Sequence, residues 1–362
     1  MRDRPGGGPE VLNAWEDAWR PMVEAAGRDF GDGEVRAAPD AVEAGAIRRF
    51  VEPLELACSL HVDPAAAAAH GHPDVVAPVS SIATFTIAPM WSPGDPPLFT
   101  SADRDAQPAR TPLGPRRTGL EPPTTDFFAT EMGAEFLRPV HAGRRLHRAG
   151  HRLVACVPKE TRVGRGAFVT WESETRDETG AVVARHRSTG YSYVRRGCEQ
   201  PPRPATEALP LVMPTEPAPV DWSRQRSWDE VAVGNELGPV AFPLPVYRLV
   251  MAAAATRDFN AIHHNAEWAR ATGAPDMYAN VVFLQAMWER CVREWIGMGG
   301  TIRSIEGFRM ASFNTVGDTV VVRGTVAERW VQEGERWVAI VMRSENRHGV
   351  SVGPGTVKVT LP

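Results

Sequence analysis

Asp258, Asn260 and His263 lie together in the run Thr256-Arg257-Asp258-Phe259-Asn260-Ala261-Ile262-His263-His264-Asn265. A carboxyl and an imidazole are side chains suited to moving protons near neutral pH, so this short segment carries a candidate acid–base pair. A regular helix would splay two residues at this separation around its axis. Convergence on one water molecule therefore needs a turn between them, and Asn260 can organise it, because Asn bonds local backbone groups and tolerates unusual dihedrals. The plainer alternative is a capped helix junction with a surface His.

The elements that must position this pair follow directly. Gly273-Ala274-Pro275-Asp276 reads as a turn, and residues 277–297 then predict a helix that is apolar on most faces: Val281, Val282, Phe283, Leu284, Met287, Trp288, Val292, Trp295 and Ile296. A helix of that composition is buried. Its first turn carries unpaired backbone N–H groups around Ala279 and Asn280, which together with the helix dipole can hold a developing oxyanion. Four stretches rich in β-branched residues come next, 301–313, 319–330, 336–345 and 350–361, separated by Val316-Gly317-Asp318, Glu333-Gly334 and His348-Gly349. One long helix followed by an antiparallel meander is an α+β plan in which the sheet wraps the helix.

The chain also repeats itself. Leu60-His61-Val62-Asp63 through Gly71-His72-Pro73-Asp74-Val75-Val76-Ala77-Pro78-Val79 aligns without a gap on Ile262-His263-His264-Asn265 through Gly273-Ala274-Pro275-Asp276-Met277-Tyr278-Ala279-Asn280-Val281. Further on, Val140-His141-Ala142-Gly143-Arg144 corresponds to Asn314-Thr315-Val316-Gly317-Asp318. The first half is longer between these blocks, and residues 91–118, dense in Pro, Gly, Asp and Arg, are the natural insert. Asp258 corresponds to Leu56 and Asn260 to Cys58. The first half thus keeps an imidazole and lacks the acid, which makes His61 a structural remnant or a cavity wall.

Asp258-x-Asn260-x-x-His263, with its glycine turn and buried helix, resembles the MaoC-like hydratases, the R-specific enoyl-thioester hydratases and dehydratases of the hotdog fold. The first half resembles the family's degenerate N-terminal hotdog through Phe136-Leu137-Arg138-Pro139-Val140-His141-Ala142-Gly143, residues 166–175 and Thr179-Gly180-Ala181-Val182-Val183-Ala184-Arg185. The resemblance implies an α+β double hotdog, two long helices (residues 76–90 and 277–297) each wrapped by an antiparallel sheet, the sheets joined edge to edge. It implies reversible syn addition of water across the 2,3 double bond of an acyl thioester. Asp258 and His263 would hold the water from two sides, and Ala279, Asn280 and Asn260 would serve the carbonyl and substrate. No cofactor would be bound permanently; the thioester carrier, coenzyme A or phosphopantetheine, would arrive with the substrate. An acyl carrier protein as partner and pairing into a homodimer stay open. The chain departs from the family pattern at Ala261, where the family has Pro, at Asn265, where it has Asp, and at Asn280, where it has Gly. Asn280 leaves room for a tailoring reaction by the same pair, such as cyclisation, isomerisation or another elimination. A non-catalytic acyl-binding subunit is the third class, disfavoured by the joint presence of Asp258, Asn260 and His263.

The 362 residues, 43% hydrophobic, support two domains. The division expected is an N-terminal extension (1–41), a degenerate hotdog (42–198) with its insert (91–118), a Pro-rich linker (199–219) and a catalytic hotdog (220–362). Leu12, Trp15, Trp19 and Met22 have helical spacing, so the extension should pack as an amphipathic helix. A net charge of -4 makes no case for nucleic acid or an anionic membrane. Lys159 and Lys358 are the only lysines; among the arginines, Arg110, Arg116, Arg117, Arg144 and Arg145 flank the insert, where a phosphate could meet them. Cys58, Cys156, Cys198 and Cys291 form no C-x-x-C, no His spacing matches a metal motif, Gly6-Gly7-Gly8 opens no phosphate loop, and no signal or membrane-spanning run is present. A cytoplasmic enzyme is expected. Because Pro89 and Pro93 cut the first helix short, its sheet should be left with space for a bulky acyl chain.

Overall fold

A computed structural model of the chain describes residues 14–112, 117–196 and 220–362. The linker 199–219, Cys198, the Gly6–Gly8 run, Leu12 and Arg116 lie outside the described residues. Among the described residues the strands are β1 (Val35–Ala41), β2 (Asp126–Phe136), β3 (Arg145–Glu160), β4 (Gly164–Arg176), β5 (Val182–Arg195), β6 (Glu236–Pro243), β7 (Thr301–Arg309), β8 (Thr319–Gln332), β9 (Glu335–Asn346) and β10 (Gly349–Leu361). They form one antiparallel sheet in the order β1-β3-β4-β5-β2-β7-β10-β9-β8-β6. The two halves of the chain join edge to edge at β2 and β7, where Met132 pairs with Phe308 and Glu135 with Ser304.

The helices are α1 (Ala14–Asp17), α2 (Arg20–Glu24), α3 (Ala44–Val51), α4 (Pro64–Ala69), α5 (Val246–Thr256), α6 (Ala266–Ala271) and α7 (Val281–Ile296). The expected amphipathic helix of the extension is two short pieces, α1 and α2. Trp19 and Met22 are buried against Leu153, Cys156, Ala167 and Val169 in a small core of their own. A larger core runs through both halves, from Val42 and Ile47 to Val359 and Leu361, and includes the α7 residues Phe283, Leu284, Met287, Trp288 and Val292.

The two central helices differ in kind. α7 forms as its Leu, Gln, Ala, Met, Glu and Arg content dictates and ends at Gly297, whose φ of 73° suits glycine. The long first helix expected over residues 76–90 is instead a 3₁₀ helix of eight residues, Val79–Thr86. Ser and Thr side chains explain the difference. Ser81 Oγ donates to the Pro78 carbonyl (2.6 Å), Thr84 Oγ1 to Ser81 (2.6 Å) and Thr86 Oγ1 to Ala83 (2.9 Å). Such bonds take carbonyls that a continuing α-helix would use, and the β-branched residues among them add to the cost.

Although α7 is central, it carries buried Gln285, Glu289, Arg290 and Arg293. The three charged ones reach groups in both halves. Arg290 donates to the Leu54 carbonyl and to Glu294 (2.7 Å), and Arg293 closes the helix end by donating to the Gly300 carbonyl (2.7 Å).

Candidate active site

The candidate acid–base segment begins where α5 stops. Arg257 ends the helix in the left-handed region (φ 56°), and the Asp258 N–H bonds back to the Ala253 carbonyl at 3.0 Å. A left-handed non-glycine residue is strained. Here its guanidinium is anchored across the halves, on the carbonyls of Ile87 (3.3 Å) and Ala88 (3.4 Å). The chain then turns through the 3₁₀ helix Ala261–His263, where Asn260 Oδ1 accepts from the Ile262 N–H at 3.2 Å. Asn260 is exposed and builds the turn.

This turn brings the acid and the imidazole together. Asp258 Oδ2 lies 3.2 Å from His263 Nε2, with the His side chain 7% exposed and the Asp side chain 28% exposed. His263 Nδ1 is 2.8 Å from the Tyr278 carbonyl. A carbonyl only accepts, so Nδ1 carries a proton and Nε2 is the nitrogen free to exchange one with Asp258 or with a reacting group. The two groups touch instead of flanking a gap, so a water molecule reached by both sits beside the pair and not between its members.

The N-terminus of α7 is tied to this loop. Asn280 is buried; its Oδ1 accepts from the Phe283 N–H (2.8 Å) and its Nδ2 donates to Thr256 Oγ1 (2.8 Å), one residue before the left-handed Arg257. The Asn280 side chain is therefore a helix cap and not a substrate ligand. Ala279 does not supply an oxyanion donor, because its N–H already bonds the Asn314 carbonyl at 3.0 Å. Among the described residues no acceptor is placed on the N–H groups of Asn280, Val281 and Val282. These are the donors left at the helix end.

Residue types and spacing did not disclose the surroundings of the pair. Tyr278 packs edge-on against His263 with ring centroids 5.3 Å apart, and Phe313 packs against Tyr278 at 4.9 Å. Burial, with the Asp258 charge, pushes the Tyr278 hydroxyl up to about 12, so it keeps its proton. An aromatic residue where the repeat has Val76 was the available signal. Asn346 Nδ2 donates to the Phe313 carbonyl (2.9 Å), and Thr315 is held by Asp318 through its N–H (3.0 Å) and hydroxyl (2.8 Å), which braces the segment that receives Ala279.

The first half preserves the frame and closes the site. His61 Nδ1 lies 2.6 Å from the Val76 carbonyl, and Ala77 bonds Val140 as Ala279 bonds Asn314. The 3₁₀ helix end that would correspond to the α7 terminus is filled by Glu289, which accepts from Val79 N–H (2.7 Å), Ser80 N–H (2.9 Å) and Ser80 Oγ (2.5 Å). Burial pushes the Glu289 carboxyl up, and the Ser80 and Val79 donors and Arg293 offset part of that rise.

Two of the flanking arginines are engaged with protein, Arg110 with Asp95 (3.1 Å) and the Pro96 carbonyl (3.1 Å), and Arg144 with Glu178. Among the described residues no three His, Cys, Asp or Glu side chains are grouped to hold a metal ion, and no helix is long and apolar enough to cross a membrane.

The chain is similar to known proteins in sequence and in fold. The model of the FAS1-like dehydratase domain region matches residues 27–186. The chain is 34% identical over 96 residues, 26% of its own length and 72% of the relative's, to the 3-oxo-4,17-pregnadiene-20-carboxyl-CoA hydratase beta subunit of Mycobacterium tuberculosis. Its fold matches a solved MaoC-like dehydratase with a TM-score of 0.68 at 20% identity, covering 94% of this chain and 100% of that one. It also matches a conserved hypothetical protein of Mycobacterium tuberculosis described as having a double hotdog fold, with a TM-score of 0.54 at 12% identity over 92% of this chain and 98% of the other. Identity of 34% across 72% of a hydratase subunit places this chain in the MaoC-like hydratase/dehydratase family, and the solved structures show its double hotdog fold.

Proposed function

We propose that the protein adds water to, or removes it from, the 2,3 bond of a bulky acyl thioester, with Asp258 and His263 as the acid–base pair. The observation that carries this reading is the 3.2 Å approach of Asp258 Oδ2 to His263 Nε2 beside the open N-terminus of α7. Water held by both groups loses a proton to one of them as its oxygen attacks C3. The negative charge that moves to the thioester oxygen meets the N–H groups of Asn280, Val281 and Val282 at the positive end of the helix dipole. C2 then takes a proton from the pair, and elimination runs the same steps backwards. Coenzyme A or a carrier-bound phosphopantetheine belongs to the substrate in this scheme.

A bulky acyl group is supported by the mycobacterial relative, which is named as a hydratase of a polycyclic carboxyl-CoA. The tailoring alternative loses its motive, since the Asn280 side chain is spent on the helix cap and on Thr256. Incubation with a panel of enoyl- and 3-hydroxyacyl thioesters, from crotonyl to branched and polycyclic, tests the reading by mass spectrometry. Gain or loss of one water, faster for the larger acyl groups, is expected. A mass-neutral product would select tailoring chemistry, and no product would select an acyl-binding role.

A further inference from the structure

The segment that holds Asp258 and His263 is gripped at both ends by the other half. On one side Arg257 bonds the carbonyls of Ile87 and Ala88, just ahead of the insert. On the other, Asn265 Nδ2 donates to Asp105 Oδ1 of the insert at 2.5 Å, across 160 residues of sequence. The amide orientation at Asn265 is settled by its second bond: Oδ1 accepts from the Trp268 N–H at 3.0 Å and caps α6, which leaves Nδ2 for Asp105. Arg104 reaches Glu267 at 3.6 Å beside this contact. The insert as far as residue 112 is itself folded, with Ala109 N–H bonded to the Leu98 carbonyl (2.9 Å), Arg110 to Asp95, and Leu98 buried. Between insert and catalytic loop lies a cleft of about 440 Å³ lined by Arg104, Asp105, Gln107, His264, Asn265 and Met277.

We propose that Asp105 is a positioning residue for the Asp258–His263 loop, acting through Asn265, and that an uncharged amide at 265 is what permits the insert to dock there. Asp caps a helix as well as Asn does, so the start of α6 does not require an amide. The contact with Asp105 does, because a carboxylate at 265 would face a second carboxylate at hydrogen-bonding distance, and two such groups repel while both are ionised, even with Arg104 Nε 3.9 Å from the same Asp105 oxygen. The half without the acid thereby serves the half that has it, holding the reacting loop in register from both ends.

The proposal rests on the reading of Asp258 and His263 as the reacting pair, and its first test does not depend on activity. Asn265→Asp, Asp105→Asn and the double variant are compared with the wild type by hydrogen-exchange mass spectrometry over residues 99–112 and 257–265, near pH 8 and near pH 5. Asn265→Asp should exchange about tenfold faster in both segments at the higher pH, the scale of losing one charge-assisted hydrogen bond, and regain protection at the lower pH, where the two carboxyls share a proton. Adding Asp105→Asn should restore protection at both pH values, because the bond then runs in the opposite direction. Unchanged exchange in Asn265→Asp, or no recovery in the double variant, overturns the latch. On a thioester substrate that the wild type turns over, kcat of Asn265→Asp should fall about tenfold near pH 8 and recover in the double variant. A normal kcat with a loosened insert overturns the positioning role while leaving the Asp258–His263 assignment standing; loss of activity in Asp258→Asn is the separate test of that assignment.

Discussion

His61 and His263 make the same bond, each placing Nδ1 against the main-chain carbonyl fifteen residues ahead, Val76 at 2.6 Å and Tyr278 at 2.8 Å. Their other nitrogens differ. Nε2 of His263 faces Asp258 at 3.2 Å, and Nε2 of His61 is buried with no hydrogen-bond partner among the described residues. One half brings an acid and an imidazole together, and the other keeps the anchored imidazole without the acid.

The pair is tested most directly by removing one member at a time. Asp258→Asn and His263→Ala should each lower turnover of a thioester substrate by about 10²–10⁴-fold, and the double variant should lose little more, because the two groups act as a unit. Additive losses, or a near-native rate in either single variant, would remove the assignment.

Glu289 should prove structural, with a large cost on truncation. Glu289→Ala leaves the donors of Val79 and Ser80 unpaired inside the protein and should destabilise it by about 3–5 kcal/mol, measured by urea denaturation. Glu289→Gln keeps one acceptor and should cost less than half as much. Equal losses in the two variants would show that packing, and not the anchoring of the 3₁₀ helix, dominates.

Asn280 joins the active helix to the end of α5. Asn280→Ala removes both the cap and the bond to Thr256 and should cost about 1–2 kcal/mol in stability. Since the main-chain N–H groups remain, kcat measured well below the melting temperature should fall by less than the loss seen in Asp258→Asn. A fall of the same size would return the Asn280 side chain to the chemistry.

His61 makes stability depend on pH in a defined direction. Burial first, then the charge of Arg293, lower its pKa from 6.5 to about 3, with His72 adding in the same sense. A depressed imidazole binds its proton only after unfolding, so its contribution is complete above pH 6.5 and is lost as pH falls towards about 3. The stability of the wild type should therefore drop over this range, and His61→Gln should flatten the slope by roughly 1.4 kcal/mol per pH unit. His72 and His141, paired at 3.1 Å and both lowered by burial, act in the same direction and will leave a residual slope. An unchanged slope in His61→Gln would show that this imidazole is not buried neutral.

Much of the active half was legible because its signals are local. Helix period and apolar content marked α7, alternation and Gly-containing turns marked β7 to β10, and the run from Asp258 to His263 announced both the meeting of the two side chains and the turn that the left-handed Arg257 and the Asn260 cap provide. The first half misled where side chains compete with the backbone: apolar content over residues 76–90 reads as a long helix, and Ser81, Thr84 and Thr86 divert its carbonyls into a short 3₁₀ helix. The helix was expected from residue 277, but α7 starts at Val281 because Asn280 caps it, and which of its N–H groups stay free was not legible, since the bond from Ala279 to Asn314 crosses to the segment that leads into β8.

The amino-acid order alone determined that one acid–imidazole pair exists, that its imidazole is duplicated without the acid, and that an apolar helix follows, because residue type, spacing and period are properties of short segments. Only the tertiary structure decided which helix end stays open and what holds the reacting loop. Glu289 fills the end in the first half from 210 residues away, and Asp105 grips Asn265 across 160 residues. Such contacts depend on how two halves of one sheet fold against each other, and no local pattern encodes the distance between side chains that meet only when the sheet closes at β2 and β7.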